Sequence, residues 1–146
     1  VLGAAGGGRD KWKRPEFGRI AAEYCDQVIL TNEDPYDENP AEILSQIEKG
    51  FSSISNFSAK SEAFRRTRHN GPWPLGGQII SYQVPSCRKV LDRREAIKTA
   101  LTSAKPGDIV IITGKGSEIS MAIAGGRKIP WSDKEIAIEL LRERIN

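Results

Sequence analysis

The sequence predicts an α/β domain: a Rossmann-like, mostly parallel sheet with helices on both faces and a C-terminal β-hairpin. Three observations carry this. Segments with helical spacing of apolar residues alternate with short apolar runs. The run Ile109-Val110-Ile111-Ile112 is continuous, as in strands buried on both faces. Two strand-like stretches near the end meet at Gly125-Gly126, a pairing suited to a tight hairpin. A length of 146 residues fits one domain, taken as 1–146 with an irregular insertion at about 52–88.

Val1 to Gly6 has neither a basic start nor a long apolar stretch, so it is no signal peptide. It reads as a strand opened at its end, and the chain is expected to be a domain cut from a longer protein. From Pro15, the positions Phe17, Ile20, Ala21, Tyr24 and Cys25 predict a helix with one buried apolar face. Pro15 suits its first turn. Val28-Ile29-Leu30 predicts a short buried strand running into the polar stretch Thr31 to Pro35.

Asn39-Pro40-Ala41-Glu42 predicts a helix start, with Asn as N-cap, Pro in the first turn and Glu closing a capping box. Ile43, Leu44 and Ile47 supply its core face, and Gly50 is expected to end it. Ser52 to Arg88 is read as the insertion, rich in Ser, Asn, Arg and Gly, with a strand near Ile79–Val84. Asp92 caps the next helix, which carries Ile97, Ala100, Leu101 and Ala104 and stops at Pro106-Gly107. Asp108–Thr113 is then the long buried strand and Gly114–Glu118 the loop at its carboxyl end. The hairpin, Ile119–Ala124 with Arg127–Trp131, is followed by a helix capped at Ser132, with Ile136, Ala137, Leu140 and Leu141 inward.

Composition excludes several classes. Lys and Arg number 22 against 19 Asp and Glu, and a net charge of +3 is too small to indicate a nucleic-acid partner. No apolar run approaches the ~18–20 residues of a membrane span. Two cysteines and one histidine make neither a disulfide framework nor a zinc site of usual spacing, and a reduced, cytoplasmic protein is expected. His69 is expected to be exposed, and Cys25 to serve packing. No nucleophile constellation is legible. The glycine-rich stretches fit neither the phosphate-loop template nor the dinucleotide fingerprint.

In open α/β sheets ligands sit beyond the carboxyl ends of the strands. Three segments are expected there: Gly6–Asp10, Thr31–Tyr36 and Gly114–Glu118. Glycines admit a ligand close to the backbone, Arg9 offers a planar fork for a carboxylate or phosphate, and Glu118 an acceptor for an ammonium group. Together they describe a pocket for a zwitterion.

Taken in order, Gly6-Gly7-Gly8-Arg9-Asp10-x-x-Lys13-Arg14-Pro15, Thr31-Asn32-Glu33-Asp34-Pro35, Asn39-Pro40, Asp92-Arg93-x-Glu95-Ala96-Ile97 and Gly114-Lys115-Gly116-Ser117-Glu118 resemble the C-terminal domain of Mur ligases, most closely the tripeptide-synthetase (MurE) type. The resemblance spans nearly the whole chain outside the insertion. It implies one domain of an ATP-dependent amide ligase of peptidoglycan synthesis. In such an enzyme the carboxylate of UDP-MurNAc-dipeptide is phosphorylated by ATP, and the amine of the third amino acid attacks the acyl phosphate. ATP and Mg2+ would be bound mainly by the ligase domains N-terminal to this one, and the fragment alone is expected to be inactive.

By the same resemblance Arg9 would hold the amino-acid carboxylate. Gly114 and Glu118 would contact the far end of a diamino acid, and Glu33-Asp34-Pro35-Tyr36 stands where the family reads diaminopimelate with Asp-Asn-Pro-Arg. Tyr36 in place of that arginine removes the partner of a second carboxylate. Glu33, Asp34 and Glu118 would favour a distal ammonium instead, and so L-lysine or a similar diamino acid lacking the second carboxylate. The other reading is a ligase-derived, non-catalytic binding module whose arginine-rich insertion meets an acidic partner.

The insertion carries little apolar periodicity, so part of Phe57–Gly77 is expected to be weakly held. Limited proteolysis with trypsin should therefore cut first after Arg65, Arg66 or Arg68. A first cut within Arg93–Lys105 would contradict this reading.

Overall fold

The computed structural model describes residues 1–8, 10–58 and 85–145. Its elements run α1 (Lys13–Tyr24), β1 (Gln27–Leu30), α2 (Pro40–Ser58), β2 (Ser86–Lys89), α3 (Arg93–Ser103), β3 (Ser120–Ile123), β4 (Arg127–Pro130) and α4 (Asp133–Ile145). The fold is α/β as predicted: β1 and β2 pair in parallel, in register Val28 to Cys87, and β3 and β4 form the antiparallel hairpin. Leu2 bridges to Leu30 in parallel, and Val1 exchanges hydrogen bonds with the 111–113 segment, donating to the Ile111 carbonyl and accepting from Thr113 N–H. The opening residues thus lie between β1 and 111–113. Among the described residues no helix is long and apolar enough to cross a membrane.

The local signals hold at most helix starts. Asn39 Oδ1 accepts from the Ala41 N–H at 2.9 Å, and Asp92 Oδ1 accepts from Glu95 N–H at the start of α3. Ser132 Oγ accepts from Glu135 N–H ahead of α4. In the hairpin, Ala124–Gly126 joins the strands, with Gly125 and Gly126 at φ 72° and 68°, the left-handed geometry that tight hairpins require.

The core is a cluster of Ala4, Ala22, Val28, Leu30, Ile43, Leu44, Ile47 and Phe51. Cys25 and Cys87 form no disulfide and pack at its edge, and burial pushes the Cys87 thiol up to about 11.

Four expectations are corrected. First, α2 does not stop at Gly50 but runs to Ser58, so the helix takes in the first residues assigned to the insertion. Gly50 serves helix packing: a Cβ there would lie 1.6 Å from the Pro15 carbonyl oxygen, and one at Gly18 would lie 1.9 Å from the Ile47 carbonyl oxygen. The two glycines let α1 and α2 touch backbone to backbone.

Second, and as a consequence, α1 turns Arg14, Gly18 and Ala22 inward. Of the predicted apolar stripe, Ala21 and Cys25 pack against the core, while Phe17, Ile20 and Tyr24 are exposed, Tyr24 by 73 %. Helical spacing identifies a stripe but not which neighbour covers it. Third, Asp108–Thr113 is not a strand buried on both faces. It is extended chain beside Val1, and Ile109 and Ile111 are 87 % and 60 % exposed, because no helix among the described residues covers that face. Fourth, Leu140 of α4 is buried while Leu141 is exposed. The predicted strand at 79–84, His69 and the Arg65–Arg68 cluster lie outside the described residues.

Because the Gly50 site has no room for a methyl against backbone, Gly50→Ala should destabilise the protein by about 1–3 kcal/mol or more through overpacking. A Gly→Ala change in a helix that met no such contact would stabilise it instead. A denaturant midpoint for Gly50→Ala equal to or above that of the wild type would contradict the close crossing.

Candidate functional site

The three loops expected at the carboxyl ends of the strands do converge. Gly6 N–H donates to the Asp34 carbonyl at 2.6 Å, joining the first loop to the second. A Cβ on Gly6 would lie 2.0 Å from the Pro35 carbonyl oxygen, so only glycine permits this approach. Lys115 Nζ donates to both carboxylate oxygens of Asp34, at 2.7 and 2.8 Å, joining the second loop to the third. Asp34 Oδ1 also accepts from Ala122 N–H at 2.7 Å, which fastens the hairpin to the same carboxylate.

Between these loops, the first residues and the exposed stripe of α1 lies a groove of about 720 Å³. Glu33, Tyr36, Thr113 and Gly114 line one end, and Phe17, Ile20, Tyr24 and Ile111 line its apolar length. Tyr36 sits at φ 51°, a left-handed conformation uncommon for a bulky residue, and its ring rests on Gly7. Such strain persists only where surrounding contacts enforce it. Here Gly7, itself at φ 73°, leaves the space that the ring fills.

Glu33 and Gly114 touch. A Cβ on Gly114, at φ 114°, would lie 2.6 Å from Glu33 Oε2. Burial raises the Glu33 pKa above the ordinary carboxylate value, while Arg93 and Lys115 pull it down and Asp34 and Glu118 push it up. Among the described residues the Glu33 carboxylate accepts no hydrogen bond, which leaves it open to a ligand cation. Asp34, in contrast, is buried and saturated by Lys115 and Ala122. Glu118 is largely exposed, with its Oε2 held by Lys115 at 2.7 Å. Of the six residues singled out in the sequence, Glu33, Tyr36 and Gly114 line the groove, Asp34 and Glu118 each pair with Lys115, and Arg9 lies outside the described residues.

Two buried arginines, which sequence reasoning passed over, hold the frame. Arg93 makes a two-pronged pair with Asp133 at 2.6 and 2.8 Å and also donates to the Asn32 and Thr113 carbonyls. Although burial alone would raise the Asp133 pKa, hydrogen bonds from Arg93 and Trp131 bring it below its ordinary value. Arg14 donates to Glu38, Gln46 and the Ala5 carbonyl, tying the glycine-rich loop to the start of α2. Arg93 and Arg14 both stand in the quoted motifs. A buried arginine has no periodicity of its own, so only the motif itself could have flagged them.

Glu38 also accepts from Gly8 N–H at 2.6 Å and pairs with Lys11. Hydrogen bonds from Arg14, then Gly8 and Lys11, hold its carboxyl down at about 2. Its folded pKa is therefore below the unfolded value, so its contribution is present above about pH 4.5 and is lost as pH falls towards 2. Glu38→Gln should make the acid side of the stability profile shallower between roughly pH 5 and 2. Denaturant midpoints measured across that range check it, and parallel profiles for the two proteins would contradict it.

Among the described residues no group of three or more His, Cys, Asp or Glu side chains is placed to hold a metal ion. What the arrangement offers is one open carboxylate, a tyrosine and glycine backbone at the mouth of an apolar groove. That suits an organic ligand with a cationic end.

Comparison with known proteins leads to the family that the motifs resemble. The family model "Mur ligase, glutamate ligase domain" matches residues 1–116. A "UDP-N-acetylmuramoyl-L-alanyl-D-glutamate--2,6-diaminopimelate ligase" of Caldanaerobacter subterraneus subsp. tengcongensis is 37% identical over 95% of this chain, which covers 23% of that protein. A "UDP-N-acetylmuramyl-tripeptide synthetase" of Roseiflexus sp. is 36% identical over 98% of the chain and is likewise covered over 23% of its length. A solved structure of a UDP-N-acetylmuramoyl-L-alanyl-D-glutamate–2,6-diaminopimelate ligase superposes with a TM-score of 0.68 at 26% identity, over 99% of this chain and 24% of the other. The chain thus spans less than a quarter of the length of these relatives, and it belongs to the Mur ligase family as its glutamate ligase domain.

Proposed function

We propose that this chain is the amino-acid-receiving domain of an ATP-dependent ligase that adds the third residue to UDP-MurNAc-dipeptide in peptidoglycan synthesis. The carrying observation is the convergence of the three family loops on a groove whose mouth presents Glu33, Tyr36 and Gly114. The names of the relatives, which act on the same class of acceptor, support the reading. ATP and Mg2+ would be held mainly by the ligase domains outside this chain, in a cytoplasmic enzyme.

In this role the domain orients the incoming amine. Holding both ends of a small amino acid turns a bimolecular encounter into a near-unimolecular one, and this is the largest service a binding domain gives to amide formation. Arg9 would take the α-carboxylate and Glu33 the distal ammonium, against the aliphatic wall of the groove.

Tyr36 decides the selectivity between diamino acids. It lines the groove with a neutral hydroxyl, which gives one hydrogen bond, where a guanidinium would give a charge-assisted pair to a second carboxylate. The full-length enzyme is expected to use L-lysine with a kcat/KM at least about tenfold above that for meso-diaminopimelate, the cost of roughly one unpaired charged contact at ~1.5 kcal/mol. Tyr36→Arg should narrow or reverse the ratio. Equal or better use of diaminopimelate by the unaltered enzyme overturns the specificity. A full-length protein that joins no amino acid to UDP-MurNAc-dipeptide overturns the ligase reading in favour of a binding module.

A further inference from the structure

We propose that Lys115 is a positioning residue of the amino-acid site: its ammonium bridges Asp34 and Glu118, sets the spacing of the second and third loops, and leaves Glu33 as the acidic side chain open to the incoming ammonium. This rests on the reading that the groove receives the amino acid.

Lys115 is only 1 % exposed, and its three N–H donors are matched by contacts to Asp34 Oδ1, Asp34 Oδ2 and Glu118 Oε2 within 2.8 Å. A lysine committed in this way has nothing left for a ligand. Burial alone would lower its pKa, but the hydrogen bonds to both carboxylates raise it overall, so it stays charged in its place. The placement matters more than the charge. On each loop the pair sits one residue from a side chain or backbone that lines the groove: Asp34 beside Glu33, and Lys115 beside Gly114. Glu33 and Gly114 are in contact across the gap that the pair spans. A shift of either loop would therefore change where Glu33 points.

The bridge also sorts the acidic residues. Three carboxylates close together would repel one another and none would present a defined acceptor. Lys115 offsets one of the two charges it bridges and holds both Asp34 oxygens and one Glu118 oxygen, so Glu33 is the groove-lining carboxylate that accepts no hydrogen bond among the described residues. Asp34 further carries Ala122 N–H, and the Tyr36 N–H faces the Ala122 carbonyl at 3.5 Å, so the same pair reaches the tyrosine through the hairpin.

Removing one partner of a buried pair strands the other charge and destabilises the fold, whereas replacing both by neutral groups of similar shape is close to neutral. That difference separates positioning from stability. In the full-length ligase, Lys115→Met, Asp34→Asn and the double variant are compared by melting temperature and by KM for the amino acid, for ATP and for UDP-MurNAc-dipeptide. The amide introduced by Asp34→Asn retains an oxygen for Ala122 N–H. Lys115→Met is expected to melt lower than wild type, and the double variant to regain most of that loss. The KM for the amino acid should rise at least tenfold in both and stay raised in the double variant, while the KM for ATP changes less than twofold.

If the amino-acid KM recovers together with the melting temperature, or if all three KM values move in parallel, Lys115 is structural only and the proposal is overturned. An amino-acid KM unchanged in every variant overturns it as well. Should the wild-type enzyme join no amino acid at all, the reading of the groove itself fails. The wild-type control shows that failure separately from any effect of Lys115.

Discussion

Three cations are buried among the described residues of this domain, and each must meet a carboxylate where water cannot compensate it. Arg14 finds Glu38, Arg93 finds Asp133, and Lys115 finds Asp34. An unpaired charge at any of these positions would cost several kcal/mol, so the pairs are strong constraints on where the chain can go. Each partner is distant in sequence: the Lys115 to Asp34 link spans 81 residues and the Arg93 to Asp133 link 40. The three loops at the groove are placed by this requirement as much as by the sheet. Among the described residues the parallel sheet has two strands.

The apolar part of the structure follows a different rule. Helices α1 and α2 approach until backbone meets backbone at Gly18 and Gly50, and this crossing commits the small-residue face of α1 to the core. Its larger apolar side chains are then left to line the groove with Ile111. An apolar wall beside a polar mouth would suit the methylene chain and ammonium of the long amino acid proposed as ligand. The same packing choice that closes the core therefore also shapes the site. Tyr36 shows how local strain is held between the two: its left-handed backbone is kept by Gly7 beneath the ring and by the hairpin behind it.

Much of the local structure was legible in the sequence. The caps at Asn39, Asp92 and Ser132, the hairpin at Gly125-Gly126 and the short strand at Val28–Leu30 stand where the residues put them, because each depends on neighbours within a few positions. The ordered motifs located the three loops and the family. Arg14, Glu38, Arg93 and Lys115 were not legible as a frame. A long charged side chain has the same composition whether it is solvated or buried, and only its partner distinguishes the two.

Four features were settled by tertiary contacts. The apolar stripe of α1 and the run Ile109–Ile112 both promised burial, yet Phe17, Tyr24, Ile109 and Ile111 are exposed. Gly50 promised a helix end and became a crossing point. Among the acidic residues of the site, Glu33, Asp34 and Glu118 were equivalent on paper, and Lys115 made them different by taking two and leaving one. Periodicity, caps and turns are properties of a segment, so the sequence by itself determined the four helices, strand β1, the hairpin, their order and the family. Which face is covered and which charge is neutralised are properties of pairs far apart in the chain, and these only the tertiary structure decided.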